Sequence, residues 1–133
     1  APVVADLVRV VIDPLRPLLL QTTASGAHPF IRCMARTMFE PKPFMEEMLA
    51  VEFGPFLRRY LAAFRRSLPH LENRVLLARI QAMMGAMLLT ITRFLRGPSA
   101  SPGGLLNVTA LAPEKTIDDL VAFCIAGFSA PVP

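Results

Sequence analysis

Residues that hold metals or form disulfides are scarce in this sequence. It has only two cysteines and two histidines in 133 residues. Cys33 and Cys124 each lie within an apolar helical pattern, so we interpret both as small core residues and expect no disulfide framework. His28 and His70 fall at predicted helix boundaries, and no ligand spacing links them to carboxylates or thiols. The sequence therefore predicts no metal site.

Catalytic motifs are missing as well. The sequence contains no nucleophile elbow and no glycine-rich loop able to cradle a phosphate. It also contains no cluster of histidine, cysteine and carboxylate side chains at the spacing that metal or nucleophilic chemistry requires. We therefore predict that the protein is not an enzyme and uses no cofactor.

Long uncharged apolar runs are the third absence. The longest apolar-rich window, 75–95, contains Arg79, Gln81 and Arg93, whereas a spanning helix needs about 20 predominantly apolar residues. The first twenty residues lack a basic start and carry charged residues through their apolar part, which is not typical of a signal peptide. We expect no membrane span, no membrane partner and a cytoplasmic location.

What the sequence has in excess is apolar residues. Hydrophobic residues make up 53% of the chain, and its mean hydropathy is +0.48. This is high for one domain (1–133) that faces water on all sides. Without a membrane, the excess indicates burial against another protein chain. A helical protein that lies on a membrane surface is an alternative, and it would predict binding to liposomes.

The apolar residues recur with the 3.6-residue period of helices and never alternate for long as strands do. The expected fold class is therefore all-α. A segment rich in glycine, serine and proline, 97–112, is expected to be a long surface loop. The five predicted helices cover 3–21, 29–39, 43–68, 72–96 and 117–128.

Prolines and polar residues place the boundaries of these helices. Pro14 and Pro17 are expected to kink or split the first helix, because proline lacks a backbone donor and crowds the preceding turn. Gly54 and Pro55 predict a local disturbance within the third helix. Thr116, followed three residues later by a carboxylate, is predicted to be the N-cap of the last helix.

The last two helices carry more apolar surface than one small domain can cover. The final helix is apolar on all sides between 120 and 128, and such a helix must be covered all round. A strip of small side chains on the fourth helix would let two subunits form a four-helix bundle about a twofold axis. The predicted homodimer interface comprises Ala78, Ala82, Gly85, Ala86, Leu89, Val121, Cys124, Ile125 and Phe128. The alternative is a monomer with these helices at the centre of its core.

Four segments of the chain resemble a known family. They are EPKPFMEEML, FGPFLRRYLAAFRRSLPHL, MMGAML in the fourth helix, and LVAFCIAGFSAP near the end. In this order they are similar to the C-terminal domain of tetracycline-repressor-type (TetR) transcriptional regulators, and the likeness covers nearly the whole chain. It implies that the five helices are the effector domain of such a regulator and that the last two form its dimer contact.

The resemblance also implies a DNA-binding head that this sequence does not contain. Family members begin with a three-helix head that includes a helix-turn-helix, and no segment here matches one. We therefore expect the sequence to be a fragment that binds DNA poorly by itself, with DNA as a partner only through that head.

The family likeness implies an effector cavity among the first four helices. Such sites are mostly apolar with a few orienting polar groups, and methionine suits an adaptable wall. The predicted pocket residues are Met34, Arg36, Thr37, Met38, Met48, Tyr60, Phe64, Arg79, Met83 and Met87. Two alternatives stay open. The methionines are ordinary core residues, or the arginines pair with Glu40, Glu47 or Glu52 rather than with an anionic or carbonyl-bearing effector.

Two arginine pairs, Arg58-Arg59 and Arg65-Arg66, lie seven residues apart and therefore share one side of the third helix. A contact with nucleic acid is one interpretation. A solvated face is favoured, because only Tyr60 interleaves with the arginines and the formal net charge of the chain is only +4.

We interpret the chain as the ligand-sensing and dimerisation domain of a transcriptional repressor. A small lipophilic effector would favour one packing of the helices, and the first helix would pass the change to the DNA-binding heads. The alternative is a structural helical dimerisation module with a filled core and no effector.

Overall fold

The structure is a computed structural model that describes residues 2–25, 29, 33, 36, 43–96 and 112–132, with the side chains of 22–25, 44–46, 48–49 and 93–96 excepted. Every regular element in these residues is a helix, which confirms the predicted all-α class. The helices are α1 (Val4–Ile12), α2 (Leu15–Ser25), α3 (Pro43–Ser67), α4 (Asn73–Arg96) and α5 (Pro113–Ser129).

The first predicted helix is split into α1 and α2 at Asp13 and Pro14. The amide of Asp13 still donates to the carbonyl oxygen of Arg9 at 2.8 Å, whereas Pro14 has no amide hydrogen to donate. Nη2 of Arg16 then contacts Oδ1 of Asp13 at 3.4 Å and Oδ1 of Asp118 in α5 at 2.8 Å. The hydrogen bond to Asp118 is the main reason why the pKa of Arg16 is raised. The expected split of the first helix is thus confirmed.

α3 runs without interruption over its 25 residues. The residues Gly54 and Pro55, where a local disturbance is predicted, do not end the helix, because Pro55 lies inside it. A proline in a helix interior removes one hydrogen bond, but most helical stability in proteins comes from the packing of an apolar face. The buried face that follows Pro55 on α3 supplies that packing.

Two predicted elements fall mainly outside the described residues. Of the predicted second helix, 29–39, only Pro29, Cys33 and Arg36 are described, and the backbone of each is helical. The predicted loop 97–112 lies outside them up to residue 111.

α5 begins at Pro113, so the predicted N-cap at Thr116 is wrong. Ala112 occupies the N-cap position and makes no side-chain capping hydrogen bond. Proline suits the first position of a helix because its missing donor would find no intrahelical partner there. Thr116 lies one turn in, and its Oγ1 donates to the carbonyl oxygen of Ala112 at 3.3 Å.

α5 is central to the packing of the described residues. It contacts α1, α2 and α4, while α1 also packs against α3 and α2 against α4. These helices and the α3–α4 connection contribute buried side chains to one core. The core consists of Leu7, Val8, Ile12, Leu15, Leu19, Tyr60, Phe64, Leu68, Leu71, Leu76, Met83, Met87, Ile91, Ile117, Leu120, Val121, Cys124 and Phe128.

One described helical segment, Asn73–Thr92 in α4, is long and apolar enough to cross a membrane, with a mean hydropathy of 1.6. The prediction that composition excludes such a helix is therefore wrong. The finding is weak evidence for a span, since core helices of soluble proteins pass the same test. Only 28% of the apolar window is buried inside the chain, with Leu76, Met83 and Met87 on its buried side.

Candidate functional site

An aromatic column connects α3 with the end of α5. Phe56, Tyr60 and Phe64 are spaced four residues apart and so fall on one side of α3. The rings of Phe56 and Tyr60 stack with centroids 5.5 Å apart, and Tyr60 meets Phe64 edge to face at 4.9 Å. Phe64 in turn stacks on Phe128 at 4.5 Å. We call these four residues the aromatic column; each such pair contributes about 0.5–1.5 kcal/mol beyond the burial of its area.

Tyr60 also joins α3 to α1 through its hydroxyl. The hydroxyl donates to the main-chain carbonyl oxygen of Leu7 at 2.7 Å, and this hydrogen bond is buried. Burial raises the pKa of the Tyr60 phenol well above its ordinary value, and the nearby Cys124 thiol adds to the shift. Because a buried phenolate would lose both its hydration and its donated hydrogen bond, the phenol is held in its neutral form.

We therefore expect Tyr60 to resist ionisation in the folded chain. The chain has one tyrosine and no tryptophan, so near-ultraviolet tyrosinate absorbance during an alkaline titration reports this residue alone. The native chain should remain un-ionised well above pH ~10, the ordinary tyrosine pKa, while the chain in denaturant titrates normally. Coincident titration curves for the native and the denatured chain would contradict the buried hydrogen bond.

The same shift makes the free energy of unfolding depend on pH. Above pH ~10 the unfolded chain loses a proton that the folded chain keeps, so the contribution of Tyr60 is complete below that pH and is lost as the pH rises. One such proton corresponds to at most about 1.4 kcal/mol per pH unit.

The buried face of α3 continues toward the start of the helix as an open apolar surface. Phe53, Phe56 and Leu57 precede Tyr60 at helical spacing on the same side of the helix, yet they are 52%, 45% and 49% exposed. We call these three residues the open α3 face. Because apolar side chains on a core-facing side are normally covered, this face is the strongest candidate for a ligand contact among the described residues.

Large apolar side chains are also exposed on the outer sides of α4 and α5. Leu77, Leu89 and Phe123 are 49%, 55% and 67% exposed, and Ala78, Ala82 and Gly85 are exposed between the two leucines. A side-chain carbon added at Gly85 would meet no atom within 4 Å. We call these residues the outer α4–α5 face. Its small side chains would let another helix approach α4 closely.

Part of the predicted dimer interface lies inside the chain instead. Val121, Cys124 and Phe128 are buried in the core of the chain itself, so these side chains offer almost no surface to a second copy. Ile125 and Ala86 are partly buried, next to the outer α4–α5 face. Phe123 is not among the predicted interface residues. It follows Val121 by two positions and therefore lies on nearly the opposite side of the helix. An apolar pattern on every side does not reveal which of these sides faces out.

The predicted pocket residues are divided between core, surface and undescribed positions. Tyr60, Phe64, Met83 and Met87 are brought together in the core, whereas Arg36 is exposed. The side chains of the others, apart from Arg79, lie outside the described residues: Met34, Thr37, Met38 and Met48. Phe53, Phe56 and Leu57 are not among the predicted pocket residues, although their helical spacing with Tyr60 was the available signal.

Arg79, a predicted pocket residue, forms hydrogen bonds between α4 and the end of α5. Its Nη1 donates to the carbonyl oxygen of Phe128 at 2.7 Å, and its Nη2 donates to those of Ala130 and Pro131 at 2.7 and 3.2 Å. These carbonyls belong to the last turn of α5 and the residues after it, where a helix leaves its acceptors unpaired. Arg79 therefore attaches the end of α5 to α4 through these hydrogen bonds.

The two cysteines differ in burial, and the two arginine pairs lie at the surface. Cys124 is buried as predicted, whereas Cys33 is exposed, contrary to prediction. The arginines at 58, 59, 65 and 66 are all exposed. Within the part of the chain that the structure describes, no group of three histidine, cysteine or carboxylate side chains could hold a metal ion.

A shallow groove of about 400 Å³ runs along α1 and is open to solvent. It is lined by Asp6, Arg9, Val10, Asp13 and Pro14. None of the residues predicted for the effector pocket lines it, and it lies on the outside of α1, away from the aromatic column.

The helices share one core and form an all-α domain. Residues 12–127 match the family model described as the tetracyclin repressor-like C-terminal domain. The chain belongs to this family of transcriptional regulators, which confirms the resemblance stated above. Domains of the family commonly dimerise and bind small-molecule effectors, and they are generally not enzymes. No curated protein and no solved structure matched the chain.

Proposed function

We propose that this chain is the effector-sensing and dimerisation domain of a transcriptional repressor. A small lipophilic effector binds at the open α3 face and alters DNA binding by a separate DNA-reading head. The observation that carries this proposal is the exposure of Phe53, Phe56 and Leu57 on the same side of α3 as the core residues Tyr60 and Phe64.

The exposed area of the open α3 face indicates how much binding free energy it can contribute to an effector. Burying a large apolar side chain contributes about 1.5–3 kcal/mol. Covering the exposed half of three such side chains therefore contributes roughly 2–4 kcal/mol, which by itself corresponds to an affinity no better than about millimolar. A tighter effector needs a second wall and a few polar groups. We propose that Met34, Arg36, Thr37, Met38 and Met48 supply them.

The outer α4–α5 face is the proposed dimer contact. Leu77, Leu89 and Phe123 would be covered by the same face of a second copy, around the small strip at Ala78, Ala82 and Gly85. Ala86 and Ile125 lie at its margin. A self-complementary contact of this kind is what a twofold axis requires, and two helices from each subunit make a four-helix bundle.

The alternative function, a structural module without an effector, is favoured by one observation. Four predicted pocket residues, Tyr60, Phe64, Met83 and Met87, are at most 7% exposed and pack in the common core. A module of this kind would dimerise by the same outer face but would bind no ligand at α3.

Thermal unfolding with a panel of hydrophobic small molecules separates the two functions. A ligand at a hundredfold excess over its Kd stabilises the folded state by about 2.7 kcal/mol, so an effector should raise the Tm by several degrees. F56A should abolish this shift, because the substitution removes the central ring of the open α3 face. The control V51A removes an exposed apolar side chain from the opposite side of α3 and should leave the shift unchanged. If no molecule stabilises the chain, the structural module is the better account.

A further inference from the structure

We propose that Tyr60 is the residue that couples the open α3 face to α1. The inference rests on the proposed function in one respect: an effector is taken to cover Phe56. The structure joins Phe56 to α1 through the Tyr60 side chain, since the ring of Tyr60 stacks on Phe56 and its hydroxyl donates to the carbonyl oxygen of Leu7.

The two contacts of Tyr60 are made by one rigid group, whose ring face stacks on Phe56 and whose hydroxyl binds the carbonyl oxygen of Leu7. The Phe56 and Tyr60 rings are inclined by only 15°, so the two faces are nearly parallel. Phe64 meets the Tyr60 ring edge to face at 87° and blocks movement toward the core. A tyrosine has only two side-chain torsions. A shift of Phe56 by a ligand therefore moves the Tyr60 ring as a body and displaces its hydroxyl.

The hydrogen bond to Leu7 makes the response of α1 discrete rather than gradual. The bond is 2.7 Å long and buried, and a hydroxyl hydrogen bond is lost once its oxygens separate beyond about 3.5 Å. A buried hydroxyl without a partner is unfavourable, so Tyr60 either carries α1 with it or releases it. α1 thus has two states, and the occupancy of the open α3 face biases them.

A second hydrogen bond between α3 and the start of the chain provides the matched control. Oγ of Ser67 donates to the carbonyl oxygen of Pro2 at 2.5 Å, immediately before α1. Ser67 is not a member of the aromatic column. If coupling runs through the column, removal of the Ser67 hydroxyl weakens the attachment of α1 without changing its response to a ligand.

The experiment follows amide hydrogen exchange in α1, with the dye anilinonaphthalene sulfonate as the hydrophobic probe for the 133-residue chain. In the wild type, saturating dye should change exchange across Val4–Ile12 about threefold or more.

Y60F retains the stacking ring but lacks the hydroxyl. It should bind the dye with unchanged affinity and exchange about fivefold faster in α1 without dye. The dye should have no further effect on it. S67A should retain the response of the wild type. A response in Y60F equal to that of the wild type would overturn the coupling.

Measurements without any ligand test the coupling between Phe56 and α1 even if the proposed effector site is wrong. If F56L does not weaken dye binding, the dye does not bind at the open α3 face and that part of the proposed function fails. The coupling is then tested by combining F56L with Y60F. F56L should change α1 exchange at least about threefold in the wild-type background and not in the Y60F background. Equal effects of F56L in both backgrounds would show that Tyr60 does not transmit the change.

Discussion

The double variant L89E/F123E is expected to convert dimers of this chain into monomers. Both side chains are more than half exposed on the outer α4–α5 face, so neither substitution disturbs the core of a single chain. In a twofold dimer each glutamate occurs twice, and four carboxylates would be buried together. Burying unpaired like charges costs several kcal/mol, so we expect the Kd to rise at least about a thousandfold. Sedimentation equilibrium over a range of concentrations measures the change.

A surface of equal exposure elsewhere serves as the control for this variant. Val51 on α3 is exposed to the same extent as Phe123, 67%, and V51E should leave the association state unchanged. A wild-type chain that remains monomeric at high concentration would refute the proposed interface. Flotation of that monomer with liposomes would then identify a membrane as the cover of the outer α4–α5 face, in line with the length and hydropathy of α4.

Truncation of Phe64 to alanine is expected to be the most destabilising single change in the described core. Phe64 is completely buried, and its ring lies between those of Tyr60 and Phe128 in the aromatic column. Replacing a buried phenylalanine with alanine removes its transfer energy and leaves a cavity, at a cost of about 3–5 kcal/mol. That is a large part of the about 5–15 kcal/mol by which folded proteins are stable. Urea unfolding at a fixed chain concentration measures the loss.

Phe53 provides the comparison for F64A within the same helix. It is the same residue type on the same side of α3, but half of its surface is exposed. F53A should therefore cost less than about 1 kcal/mol. A similar loss in both variants would mean that the open α3 face is covered in solution, and the assignment of that face as a ligand contact would have to be abandoned.

Most of the helices could be predicted because their signals are local. The break at Pro14 matches the missing amide hydrogen and the crowded preceding turn of a proline, whereas Pro55 has the same local defect and stays inside α3. The start of α5 was placed wrongly because a capping pattern at Thr116 competed with Pro113. Both signals are local, and the proline at the first helical position prevailed.

The candidate sites were less predictable, because the apolar pattern records how much surface must be covered but not by what. An α5 that is apolar on every side is equally compatible with either side facing inward. Its packing against α1, α2 and α4 placed Val121 and Cys124 inside and Phe123 outside. The open α3 face was not predicted as a ligand contact for the same reason, because its residues have the spacing of a core stripe.

Composition and periodicity thus settled the all-α class, most of the helix boundaries and the surplus of apolar surface, because these depend on short-range backbone and solvation effects. Two hydrogen bonds between helices, from Tyr60 to Leu7 and from Arg79 to Phe128, are visible only in the folded chain. Their acceptors are main-chain carbonyl oxygens, which every residue carries alike. No side-chain pattern in the sequence can mark such a partner, and only the packing of the helices brings donor and acceptor together.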